Sequence, residues 1–172
     1  ADVNVNADNP VIGIRSFSSD PELVGELAAA EVAAFQDGGV VAVAKHFPGH
    51  GDTDVDSHTG LPVIDKSRDE WERVDLPPFQ RLVDAGVDMV MTAHVLMPQL
   101  GDAEEPATLS PHLITGVLRE ELGYDGVVTT DALNMEGVRQ THDDGEVAVR
   151  AVLAGADQLL MPPDVDLAYS AV

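Results

Sequence analysis

Short apolar runs alternate with longer amphipathic stretches along the chain, and the pattern returns about every 30 to 45 residues, the span of a βα unit. Asp2–Val5, Val40–Ala44, Val87–Thr92, Gly126–Thr130 and Asp157–Met161 read as strands. The Val-rich runs show no polar alternation, as expected when both faces of a strand are buried in a parallel sheet. Helix signals lie between them. Asp20 reads as an N-cap followed by Pro21 at the first helical position and Glu22 in the first turn, and Gly38-Gly39 stops that helix. Ser67-Arg68-Asp69-Glu70 has the spacing of a capping box and opens a helix predicted to run to Ala85, with Gly86 after it. Ser110-Pro111 opens a third helix, stopped near Gly123, and Asp144 to Ala154 forms a fourth, ended by Gly155.

This order predicts an α/β fold with two competing architectures: a doubly wound sheet of about five strands, or part of a (β/α)-barrel. The length of 172 residues favours the first. Against it, Asn9-Pro10-Val11-Ile12-Gly13 after the first run lacks the glycine spacing of a dinucleotide fingerprint. No linker, low-complexity tract or second domain interrupts the pattern.

Charge narrows the partners. Asp and Glu number 31 against nine Lys and Arg, for a net charge of −22, and Lys45 and Lys66 are the lysines. Phosphate backbones and anionic membranes require clustered cations, so nucleic acid is not an expected partner. No apolar run approaches the ~20 residues of a membrane span, and Ala1 to Pro10 carries no basic start leading into an apolar stretch. Without cysteine no disulfide is available. The acidity fits either adaptation to high salt, where screening relieves self-repulsion, or the codon preference of a GC-rich genome; a gain of thermal stability in molar salt separates the two.

In either architecture functional residues belong just after the strand C-terminal ends. Polar residues that are costly to desolvate gather there: Arg15 after the first strand, Lys45-His46-Phe47-Pro48-Gly49-His50-Gly51 after the second, His94 after the third and Asp131 after the fourth. Lys45 and His46 follow the apolar run without a spacer and should point into the mouth of the sheet. In Asp56-Ser57-His58, the aspartate can fix one imidazole nitrogen and leave the other free for proton exchange, although composition alone favours an exposed loop with incidental Asp and His. His46, His50 and His58 raise a metal reading, but His46 and His50 stand four apart across a Pro-Gly break and cannot share a helix face; no metal is expected. Asp131 in Thr129-Thr130-Asp131-Ala132-Leu133-Asn134-Met135 is either a functional carboxylate or the N-cap of a short turn. Met89, Met91, Met135 and Met161 read as core, His112 and His142 as surface, and Ser16, Ser18 and Ser19 lack a nucleophile-elbow context.

Taken together, Lys45 to Gly51, Asp56-Ser57-His58 and Thr130 to Met135 resemble the bacterial β-N-acetylhexosaminidases of glycoside hydrolase family 3. Asn9 to Phe17, Met91 to His94, Ala107 to Ser110 and Leu118 to Gly126 extend the likeness over nearly the whole chain, in order. The resemblance implies an incomplete (β/α)8 barrel of the TIM type, about five βα units, with residues 1–172 forming a partial catalytic domain and further barrel lying before Ala1 and after Val172. Unpaired barrel edges would then promote self-association.

The resemblance also implies roles. Asp131 matches the nucleophile that forms a covalent glycosyl-enzyme, and His58 matches the acid/base, with Asp56 its partner. Arg15, Lys45 and His46 match residues that hydrogen-bond the sugar, and no organic cofactor is implied. The expected substrate is a GlcNAc-containing oligosaccharide or muropeptide, cleaved with retention. Two alternatives stay open: a phosphorylase, because a neutral histidine does not repel incoming phosphate, and an inactive carbohydrate-binding remnant. Cytoplasmic and exported locations are equally compatible with the resemblance.

Overall fold

The computed structural model describes residues 1–101, 103–140 and 142–172. Three parallel strands, β1 (Val43–Phe47), β2 (Met89–Thr92) and β3 (Val127–Thr129), pair in sequence order. Parallel neighbours require crossovers. Helices α2 (Arg68–Val74) and α3 (Leu76–Asp84) carry the chain from β1 to β2, and a π-helix (His112–Glu121) carries it from β2 to β3. Helix α1 (Pro21–Asp37) precedes the sheet; α4 (Glu136–Arg139), α5 (Asp144–Ala154) and α6 (Val165–Ala171) follow it.

The helix starts follow the sequence signals closely. Asp20 accepts from the amides of Glu22 and Leu23, Ser67 from that of Glu70, and Asp143 from that of Glu146. Gly155 ends α5 at φ 115°, a conformation that suits glycine. The helix expected from Ser67 to Ala85 is broken at Asp75, because Pro77 and Pro78 have no amide hydrogen to give to the preceding turn. Helix α6 is an element beyond those expected, although Val165, Ala168, Tyr169 and Val172 recur at helical spacing; Asp164 caps it at the Leu167 amide.

Of the five expected strands, three form, and the second begins at Val43 because Val40 is tied back to the end of α1 by its bond to the Phe35 carbonyl. Asp2–Val5 forms no strand: the Val5 amide folds back onto the Val3 carbonyl, and the segment instead crosses the end of β1 with Val3 fully buried. In Asp157–Met161 a single bridge joins Gln158 to Thr129. Yet the Thr130 amide bonds the Gln158 carbonyl and the Leu133 amide that of Leu160, so the segment lies along β3 as an incipient further strand before Pro162 and Pro163 end it. The result is an open-edged parallel sheet.

Register places the chemistry. Between the pairs Ala44↔Val90 and Phe47↔Thr92, β1 advances three residues while β2 advances two. Lys45 and His46 occupy that bulge, which re-aims neighbouring side chains; the Lys45–His46 and Phe47–Pro48 peptide bonds are cis. Beneath the bulge, Phe47 packs edge-on against Phe79 with ring centroids 5.4 Å apart, and buried Trp71 donates its indole N–H to the Pro48 carbonyl at 2.8 Å. Leu82, Val90, Leu118 and Val128 complete the core below the rim.

Candidate active site

Three of the candidate residues lie at or just past strand ends. His46 sits at the end of β1, His94 two residues past β2, and Asp131 two past β3. His46 is held from behind: Asp2 Oδ2 lies 2.7 Å from His46 Nδ1, and its Oδ1 accepts from the backbone amides of His46 at 3.1 Å and His50 at 2.8 Å. A carboxylate only accepts, so Nδ1 carries the proton of that bond and Nε2 faces forward. There it meets Asp131, with Nε2 3.8 Å from Oδ2. Burial works against ionisation of Asp2, but the charge of His46 and its hydrogen bonds outweigh it and hold the carboxyl well below the usual carboxylate range.

Asp131 is itself 16 % exposed, open enough to meet a ligand. Its Oδ1 accepts from the Ala132 amide at 2.8 Å, and no helix begins until Glu136, with Met135 at the cap position, so the carboxylate is not an N-cap. The peptide beyond it is fixed at both ends. The Leu133 amide bonds Leu160, and His94 Nε2 donates to the Ala132 carbonyl at 3.0 Å. His94 is fully buried, and burial lowers its pKa to about 4, so the ring is neutral and Nδ1 accepts. Thr108 Oγ1 stands 2.9 Å from Nδ1 and 2.9 Å from the Ala93 carbonyl, so its one hydrogen is shared between the two, while the Thr92 hydroxyl donates to it at 2.9 Å.

The loop after β1 carries the second reactive pair. Asp56 Oδ1 accepts from the His58 amide at 2.9 Å and from His58 Nδ1 at 2.7 Å, and the ring is 59 % exposed with Nε2 free. Slight burial raises the Asp56 pKa, but the two bonds from His58 outweigh it and the net shift is downward. Among the described residues, His58 makes no hydrogen bond or ion pair to Asp131. The loop nevertheless reaches the segment beyond that carboxylate: the Gly137 amide donates to the Ser57 carbonyl at 3.1 Å and that of Glu136 to the His58 carbonyl at 3.4 Å.

The bulge brings Lys45 and His46 to one pocket of about 170 Å³, shared with Asp2, Arg15, Phe17 and Glu31. Arg15 is exposed there and donates to the Val11 carbonyl at 3.3 Å. A larger apolar cavity of about 530 Å³ under α6 contains none of these residues. Among the described residues, no group of three or more His, Asp or Glu is arranged to hold a metal ion.

The description "Glycosyl hydrolase family 3 N terminal domain" matches residues 1–172. The chain belongs to this family. β-Hexosaminidase A of Pseudoalteromonas piscicida is 45% identical over 172 residues, covering 94% of this chain and 29% of that protein. A family 3 β-N-acetylglucosaminidase from a Paenibacillus species superposes with a TM-score of 0.94 at 48% identity, over 99% of this chain and 34% of that one. A β-glucoside phosphorylase superposes with a TM-score of 0.93 at 29% identity, over 99% of this chain and 32% of the other. The chain thus spans about a third of each relative's length.

Membership of family 3 settles the architecture in favour of a partial barrel of the TIM type over a doubly wound sheet. Within that family frame the structure joins His46 with Asp131, Asp56 with His58, and Arg15, Lys45 and His46 around one pocket. Sequence reasoning assigned no role to Asp2 and left His94 and His50 without partners. Asp2 opens its apolar run instead of following a strand end, so nothing in its local sequence marks it; its role comes from His46 and His50, more than forty residues away.

Proposed function

We propose that the chain carries the reaction centre of a retaining β-N-acetylglucosaminidase, with Asp131 as nucleophile and His58 as acid/base. The observation that supports it most directly is the pair Asp56–His58, in which one carboxylate oxygen grips both the amide and Nδ1 of the histidine and leaves Nε2 as the exchangeable position. The names of the curated relative and of the solved β-N-acetylglucosaminidase point to the same sugar.

In the first step an Asp131 oxygen attacks the anomeric carbon. The C1–O bond to the leaving group breaks, and the departing oxygen takes the proton from His58 Nε2. In the second, water attacks C1, the ester bond to Asp131 breaks, and His58 Nε2 accepts the water's proton, which restores both groups. His46, oriented by Asp2, presents Nε2 beside the nucleophile, while Arg15 and Lys45 supply N–H donors for sugar hydroxyls from the adjoining pocket. The natural substrate class is a GlcNAc-containing oligosaccharide or muropeptide.

Release of nitrophenol from a β-N-acetylglucosaminide by the full-length protein tests this reading. Asp131→Asn should reduce kcat by ~10³-fold or more; turnover within tenfold of the parent would refute the nucleophile. A second reading is favoured by the phosphorylase neighbour, because a histidine acid/base, unlike a carboxylate, need not repel an incoming anion. It requires that phosphate accelerate turnover and that a sugar 1-phosphate accumulate.

A further inference from the structure

The middle residue of Asp56-Ser57-His58 takes no part in the chemistry, yet it is the most firmly held. Ser57 is 1 % exposed, between partners that are 37 % and 59 % exposed at their side chains. Its hydroxyl lies 2.9 Å from His50 Nε2, and His50 Nδ1 lies 2.9 Å from the Thr53 hydroxyl, with His50 and Thr53 both buried. The Thr53 hydroxyl reaches the His50 carbonyl at 3.2 Å, which commits its hydrogen. Nδ1–H therefore donates to Thr53, and Nε2 accepts from Ser57. Burial lowers the His50 pKa, which keeps that acceptor lone pair available.

Two further contacts fix this pivot. The His50 amide is bonded to Asp2 Oδ1, the same carboxylate that orients His46. On the opposite side the Gly137 amide bonds the Ser57 carbonyl, and a Cβ at position 137 would stand 2.7 Å from that oxygen and 2.8 Å from the Gly60 carbonyl. Glycine at 137 is what lets the two backbones approach.

We infer that His50, acting through Ser57, is a positioning residue that sets the pose of the Asp56–His58 pair, with Gly137 as the opposing stop. The inference rests on the acid/base role proposed for His58. With Ser57 drawn inward, the side chains on either side of it are left exposed together, so the pair is presented as a unit.

The test uses the full-length protein and kcat/KM on two aryl N-acetyl-β-glucosaminides: phenyl, whose departure needs a proton, and 2,4-dinitrophenyl, whose departure does not. Ser57→Ala and Gly137→Ala should each lower the phenyl value by ~10-fold or more and the dinitrophenyl value by less than ~3-fold, because only protonation is misplaced. Adding Ser57→Ala to His58→Ala should cause no further loss on either substrate, since the pivot acts only through that imidazole. Equal losses on both substrates, or an additive loss in the double variant, would overturn the inference while leaving the role of His58 intact. If His58→Ala itself shows no preference between leaving groups, the acid/base role falls, and the positioning role falls with it.

Discussion

His94 shows how a single side chain can couple the site to the stability of the fold. Its pKa of about 4 in the folded chain lies below the ordinary 6.5, so between those values the unfolded state binds a proton that the native state refuses. The stability this imidazole contributes is complete above pH 6.5 and is lost as pH falls towards 4, by an amount on the order of 3 kcal/mol for so large a shift on a fully buried ring. Asp75 works in the opposite sense. Burial raises it from 3.8 to about 6, so the native state holds its proton over that range and gains stability on acidification. Denaturant midpoints of the parent and of His94→Gln, compared from pH 7 to 5, isolate the histidine. The parent should lose stability faster than the variant, and parallel slopes would show that folding does not lower the pKa of His94.

At the scale of elements, what was legible in the sequence was whatever local chemistry decides. Asp20, Ser67 and Asp143 cap their helices through bonds within three residues, and those starts follow from spacing alone. Whether Asp2–Val5 pairs as a strand depends on residues more than forty positions away, and there the local pattern misled. Asp131 was legible as a polar group just past a strand end and Asp56 with His58 as an acid two residues from an imidazole, whereas the tautomers of His50 and His94 depend on hydroxyls that no spacing announces. The break between α2 and α3 illustrates both sides. Pro77 and Pro78 mark the break in the sequence, but the fate of Asp75 beside it does not show there: its Oδ2 meets buried Lys66 Nζ at 2.6 Å, and the same amine reaches Asp52 of the β1 loop at 3.4 Å. Lys66→Met strands the Asp75 charge in the interior and should destabilise by about 3 to 5 kcal/mol, whereas Lys66→Met with Asp75→Leu should recover most of that loss. Chemical denaturation of both variants checks this; a double variant no more stable than the single one would refute the explanation.

The whole molecule presents two open flanks. On one, Val40, Val41 and Val43 are 40 to 58 % exposed beside Phe35 of α1. On the other, Val165, Tyr169 and Val172 line the apolar cavity next to Leu159. A sheet with such flanks and unpaired edges tends to find a partner. Expressed alone, residues 1–172 should therefore self-associate despite the net charge of −22, increasingly so as salt screens that charge. Sedimentation velocity at low and high ionic strength measures it, and a monomer at both would show that these flanks are tolerated in water.

The clamp on the peptide after Asp131 has an outcome of its own. The Ala132 carbonyl is tied to His94 and the following amide to Leu160, whereas the His58 ring stands 59 % exposed. Torsions already frozen in the free protein need not be frozen by a ligand. A small cation that imitates charge at the anomeric carbon engages the clamped side and should bind with little entropic penalty. A larger molecule that also reaches the exposed imidazole must immobilise that side chain as well, so added contacts there should bring favourable heat without a proportionate gain in affinity.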